Sequence, residues 1–151
     1  MNYRRPKISA IPFTDRELKG AWRELSALSI RDGKPRQNPH RLMLFYAVEC
    51  GLKVVWLKRQ NRNVFDRQDI DKIGHNLRQL LKDLRVGQEL TLPQDIKLSD
   101  LTQNNIAIPR NRDIEILHQA WRYGGKCVSP TDDKCEEQLE KVLRWINGEL
   151  K

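Results

Sequence analysis

The stretch Asn38-Pro39-His40-Arg41-Leu42-Met43-Leu44-Phe45-Tyr46-Ala47-Val48-Glu49-Cys50-Gly51-Leu52-Lys53-Val54-Val55-Trp56-Leu57-Lys58-Arg59 decides the fold. Asn38 followed by Pro39 is a cap and first-turn pair, so a long helix is expected from there to about Arg59. Its inward stripe reads as Leu42, Phe45, Tyr46, Glu49, Leu52, Lys53 and Trp56. Glu49 falls inside that stripe, and a buried carboxylate without a partner is costly, so it is expected to face a cation or a hydrogen-bond donor.

Working outward, Thr14 with Glu17 three residues later has the form of a capping box, and a helix follows. Its apolar positions Leu18, Ala21, Trp22, Leu25 and Leu28 recur at steps of three and four. Gly33, Pro35 and Pro39 in the run from Arg31 to Pro39 break it. Beyond Arg59, a third helix is expected from about Asp69 to Leu84, with Ile70, Ile73, Leu77, Leu80, Leu81 and Leu84 inward and His75 between Gly74 and Asn76. From residue 85 to about 111 the helical period is lost and Gly87, Pro93 and Pro109 intervene. This reads as a long loop or insertion with room for a short strand or helical turn. A fourth helix is expected over Arg112 to Tyr123, stopped by Gly124-Gly125. A fifth starts after Ser129-Pro130, capped near Thr131 or Asp132, and runs through Leu139, Val142, Leu143 and Ile146. The expected fold class is therefore all-α, a bundle of about five helices forming one domain over residues 1–151.

Composition narrows the function classes. With 151 residues the chain can bury a core without disulfides or a structural metal. No run approaches the length of a membrane span, and the N-terminus has no apolar stretch suited to a signal peptide, so a cytoplasmic location is expected. Cys50, Cys127 and Cys135 show no zinc-ligand spacing and read as reduced structural thiols; Cys127 beside Lys126 is the one with a basic neighbour. No metal and no cofactor is expected. The net charge is +8, and Met1 to Arg41 holds 10 Lys/Arg against 4 Asp/Glu, so the excess sits in a basic N-terminal segment. Such an arm attracts phosphates by releasing their counterions, or simply keeps the protein soluble. Arg31, Lys34, Arg36, His40 and Arg41 form the cluster most suited to an RNA or phosphate surface. The four Trp fall on helical stripes and read as core or dimer contacts.

Three short motifs follow in order: Ala47-x-Glu49-x-x-Leu52-Lys53, Gly74-His75-Asn76-Leu77, and Arg122-Tyr123-Gly124. In this order, over Pro39 to about Trp145, the chain resembles the HEPN superfamily of prokaryotic helical domains, with Asn76 for the usual Asp and Gly124 for the Pro of an Arg-Tyr-Pro variant. Apart from that resemblance, Glu49, Lys53 and His75 read first as a structural polar network, since buried polar groups are nearly always paired. Active members carry an Arg, four to six residues and a His, a spacing matched by Arg112, Asp113 and His118. The resemblance implies a metal-independent endoribonuclease in which His118 moves a proton and Arg112 stabilises phosphate charge. On a regular helix residues 112 and 118 point to different faces, whereas His118 and Arg122, four apart, share one and offer another phosphate site. The implied setting is an RNA-binding or RNA-cleaving protein of a toxin–antitoxin or phage-defence system, acting as a homodimer. The alternative is a catalytically inert module that binds a nucleotidyltransferase antitoxin or a larger defence complex. Neither involves a membrane.

Overall fold

A computed structural model describes residues 11–74 and 76–151. In chain order these residues form β1 (Phe13–Thr14), α1 (Asp15–Leu28), α2 (Asn38–Arg59), β2 (Val64–Phe65), α3 (Arg67–Ile73) and α4 (Leu77–Asp83). A 3₁₀ turn (Gln88–Leu90), β3 (Ile96–Gln103), β4 (Ile106–Arg112), α5 (Ile116–Arg122), β5 (Cys127–Ser129) and α6 (Asp132–Glu149) follow.

Local chemistry sets the helix starts. The Thr14 hydroxyl accepts from Glu17 N at 3.1 Å while the Glu17 carboxylate accepts from Thr14 N at 3.0 Å, which satisfies two amides that the first turn of α1 leaves unpaired. Asp66 caps α3 in the same reciprocal way with Asp69, and Thr131 caps α6. α2 spans Asn38–Arg59 as expected, but its cap is Gln37 rather than Asn38, which is the first helical residue and donates its side-chain amide to the Gly125 carbonyl at 3.1 Å.

The expected single stripe on α2 is corrected. Leu44, Phe45, Ala47, Val48, Gly51, Leu52, Val54, Val55 and Leu57 are all buried, while Leu42, Tyr46, Lys53 and Trp56 are only partly so. A helix buried nearly all round is the axis of a core, with α1, α4, α5 and α6 packed about it. Gly51 makes this packing feasible: a Cβ there would lie 2.7 Å from an Ile146 side-chain carbon and 2.9 Å from one of Trp22. Leu28, expected to face inward on α1, is exposed.

The all-α expectation is overturned. Five strands in two antiparallel sheets accompany six α-helices among the described residues. β1 and β2 pair Phe13 with Phe65, and a three-stranded sheet runs β4-β3-β5. The stretch read as a loop is largely the β3–β4 hairpin, turned by Asn104-Asn105 with φ of 52° and 63°. Two successive positive-φ residues are what a two-residue hairpin turn requires, and Asn tolerates them. The expected helix from Asp69 to Leu84 is two helices, because Gly74 turns left-handed at φ 56° and Asn76 caps a new one by accepting from Gln79 N at 3.0 Å. The helix expected from Arg112 starts at Ile116, and Arg112 ends β4.

No helix of the described residues is long and apolar enough to cross a membrane.

Candidate nucleic-acid interface

The basic cluster at the α2 entrance is largely tied into the fold. Arg36 donates through Nε to the Ser29 carbonyl at 2.6 Å and pairs with Glu140 and, at 3.5 Å, with Glu136. Arg41 pairs with Glu136, donates to Asn38 Oδ1 at 2.9 Å and lies 3.9 Å from both Asp132 and Asp133. These half-buried guanidinium groups clamp the loop before α2, and its first turn, to the acidic face of α6. Arg31 donates to the Pro35 carbonyl at 2.9 Å, and His40 Nδ1 accepts from Gln37 N at 3.3 Å. Lys34 is exposed. Arg4, Arg5 and Lys7 of the basic segment lie outside the described residues.

The residues matched to a ribonuclease motif fall on two elements. Arg112 is exposed at the end of β4, opposite Ile96, and the Asp113 carboxylate accepts from Glu115 N at 3.2 Å in the turn that follows. His118 sits on α5, half-buried, with its ring centroid 5.8 Å from that of Phe45. Arg122, one turn on and on the same face, is exposed, with its guanidinium 5.7 Å over the Tyr123 ring.

Glu49 is interior, at 8% exposure. Lys53 Nζ lies 5.0 Å above the Phe65 ring. His75, the third residue of that network, lies outside the described residues. Burial pushes the Cys50 thiol up to about 11, with the Glu49 charge adding to the shift and Lys53 opposing it. Cys127 is raised further by its hydrogen bond with Cys135 and by burial. Neither is a thiolate near neutrality, so neither has the reactivity of a catalytic cysteine.

The residues that sequence reasoning passed over are on α1. Arg16, Lys19 and Arg23 fall within about 60° of arc on the helix, with Glu17 and Glu24 roughly 80° or more away from them and Asp15, in the first turn, about 40° from Lys19. Among the described residues no carboxylate comes within ion-pair distance of these three cations. Arg16 and Lys19 line a cleft of about 490 Å³ together with Lys58, Arg62, Asn61, Asn63 and one carboxylate, that of Asp15. Lys58 Nζ donates to the Glu149 carbonyl at 2.8 Å and keeps two protons for a ligand. Arg62 serves the scaffold: it forks onto Asp69, with Nη1 to Oδ1 at 2.8 Å, and reaches Asp66 at 3.2 Å. A second cleft, of about 480 Å³, is lined by Arg78, Lys82 and several amides. There Arg78 donates to the Leu92 carbonyl, the Gln79 side-chain amide donates to Asp83, and Asn76 caps α4. The two linings carry a similar excess of positive charge, and what sets the α1 side apart is that Arg23 continues the row of Arg16 and Lys19 along the same helix face. The spacing i, i+3, i+7 of Arg16, Lys19 and Arg23 was legible once α1 was recognised as a helix.

In comparisons with protein-family models, curated proteins and solved structures, nothing matches this chain.

Proposed function

We propose that the protein binds RNA, and that the row Arg16, Lys19 and Arg23 with Lys58 across the cleft is its phosphate-binding surface. The observation that carries this reading is the contrast between two sets of cations. Arg36 and Arg41 are neutralised by α6, whereas Arg16, Lys19 and Arg23 form no ion pair among the described residues, and Asp15 is the one carboxylate lining the cleft that Arg16 and Lys19 border. Such a row holds a polyanion by displacing its condensed counterions, without reading sequence. RNA in particular is the ligand that the resemblance to HEPN domains implies. Helices α2, α4, α5 and α6 lie on the segments that carry that resemblance, with the hairpin inserted between α4 and α5. A toxin–antitoxin or phage-defence setting belongs to the same reading.

A second reading, metal-independent RNA cleavage, is favoured by one observation. His118 is half-buried one turn from exposed Arg122, so a proton-transfer group and a phosphate-binding cation share one face of α5.

The binding reading is tested by charge reversal. Arg16→Glu/Lys19→Glu/Arg23→Glu changes three side chains on the solvent side of α1 and should leave helicity unchanged while abolishing retention of labelled RNA at low salt. Retention at the wild-type level by a folded triple variant would refute it.

A further inference from the structure

The β3–β4 hairpin leaves the body after Leu98. Ile96 and Leu98 are buried, but every residue from Ser99 to Pro109 is exposed. A two-stranded ribbon with neither face covered is marginal in water, so its composition bears on what it meets. Cross-strand partners share a face, and the register pairs Leu101 with Ile108 and Gln103 with Ile106. Leu101, Ile106 and Ile108 therefore line one side, at 47%, 66% and 37% exposure. Following β4 by its period of two, the same side continues to Arg110 and Arg112.

The base of the hairpin adds an aromatic ring. Tyr123 is 78% exposed, the most exposed large apolar side chain among the described residues, and Arg122 lies over its ring. The turn after it stands against the same side of the sheet. A Cβ on Gly125 would come 3.1 Å from the Leu98 side chain, and Leu98 is the register partner of Arg110. Aliphatic, aromatic and guanidinium groups thus follow one another along one surface. A second copy seated there would bring Arg110, Arg112 and Arg122 of both copies into one interface, a concentration of like charge that disfavours the contact. Phosphates reverse that sign, and the flat faces of unpaired bases suit Tyr123 and the aliphatic row.

Resting on the RNA-binding reading above, we propose that this surface takes the unpaired bases of single-stranded RNA, with a base stacked on Tyr123 and its flanking phosphates on Arg110, Arg112 and Arg122. The α1 row holds backbone of either form, so the hairpin and Tyr123 make the protein prefer a single strand to a duplex.

The test measures binding of the full chain to three probes: a twelve-residue oligoadenylate RNA, a duplex RNA of the same length, and inorganic polyphosphate. Wild type should bind the single strand tightest. Tyr123→Ala should weaken the oligoadenylate roughly ten-fold and leave duplex and polyphosphate unchanged, with Tyr123→Phe close to wild type. Ile106→Ser/Ile108→Ser should act in the same direction. The α1 triple variant should weaken all three probes. Equal binding of oligoadenylate by wild type and Tyr123→Ala overturns the stacking proposal while the α1 reading stands, as does a wild type that binds duplex as tightly as single strand. A wild type that binds none of the probes overturns both.

Discussion

Asp69 joins the end of α2 to α3, and its replacement by Asn should expose the energetic weight of that joint. The carboxylate is buried and accepts the Arg62 fork, Asp66 N at 2.9 Å and Trp56 Nε1 at 3.2 Å. Burial alone would raise its pKa, but the Arg62, Asp66 and Trp56 hydrogen bonds together outweigh burial and bring it from 3.8 to about 2. At 1.36 kcal/mol per unit the lowered value corresponds to about 2 kcal/mol of folding stability. Because the folded-state pKa is depressed, that contribution is complete above about pH 4. It is lost as the pH falls from 4 towards 2, when Asp69 takes up a proton. Asp69→Asn should therefore cost about 2 kcal/mol at pH 7, roughly 4 to 8 °C in Tm for a chain of this length. Urea titrations followed by tryptophan fluorescence, which Trp56 reports locally, should show the gap between wild type and variant closing between pH 4 and 2. A gap of the same size at pH 2 and pH 7 would refute the assignment of the stability to the ionised carboxylate.

Gly51→Val should lower stability by about 1–3 kcal/mol in thermal melts, since Ile146 and Trp22 already occupy the space its side chain needs. Arg41→Ala should lower stability by about 1–3 kcal/mol, because Glu136 loses the nearer of its two half-buried partners, and should change RNA affinity in binding titrations less than Lys19→Ala does. If the second reading holds, wild type cleaves labelled RNA in EDTA and His118→Ala does not, with binding retained; cleavage by that variant at the wild-type rate would place the chemistry elsewhere.

The features legible in the sequence are those set by neighbours along the chain. The Thr14–Glu17 box and the Thr131 cap are local hydrogen-bond arrangements, and Pro39 is preset for a first turn by its fixed φ; each marks its helix start where the structure has it, although the cap of α2 is Gln37 rather than Asn38. The interior placement of Glu49 followed from the period of α2, although that helix is buried on more sides than one stripe implies. The hairpin was hard to read because its alternation is short, three residues at Ile96–Leu98 and three at Ile106–Ile108 on either side of Asn104-Asn105, and its outer half has no buried face to extend it. The α3–α4 break turned on Gly74, whose left-handed backbone overrides an unbroken apolar period from Ile70 to Leu84. Within the candidate site, Arg36 and Arg41 looked free because their partners Glu136 and Glu140 lie about a hundred positions away. The α1 cations Arg16, Lys19 and Arg23, which form no ion pair among the described residues, are found by a helix-by-helix reading of charge spacing.

The salt dependence of RNA affinity tests the central claim most directly. For a single strand, each phosphate neutralised contributes about −0.7 to the slope of log K against log salt. Between 50 and 200 mM salt, wild type should therefore lose affinity steeply, and Arg16→Gln/Lys19→Gln/Arg23→Gln should show a slope shallower by about 2. A wild-type slope near zero, or a triple variant whose slope equals that of wild type, would contradict the assignment of this row as the RNA-binding surface.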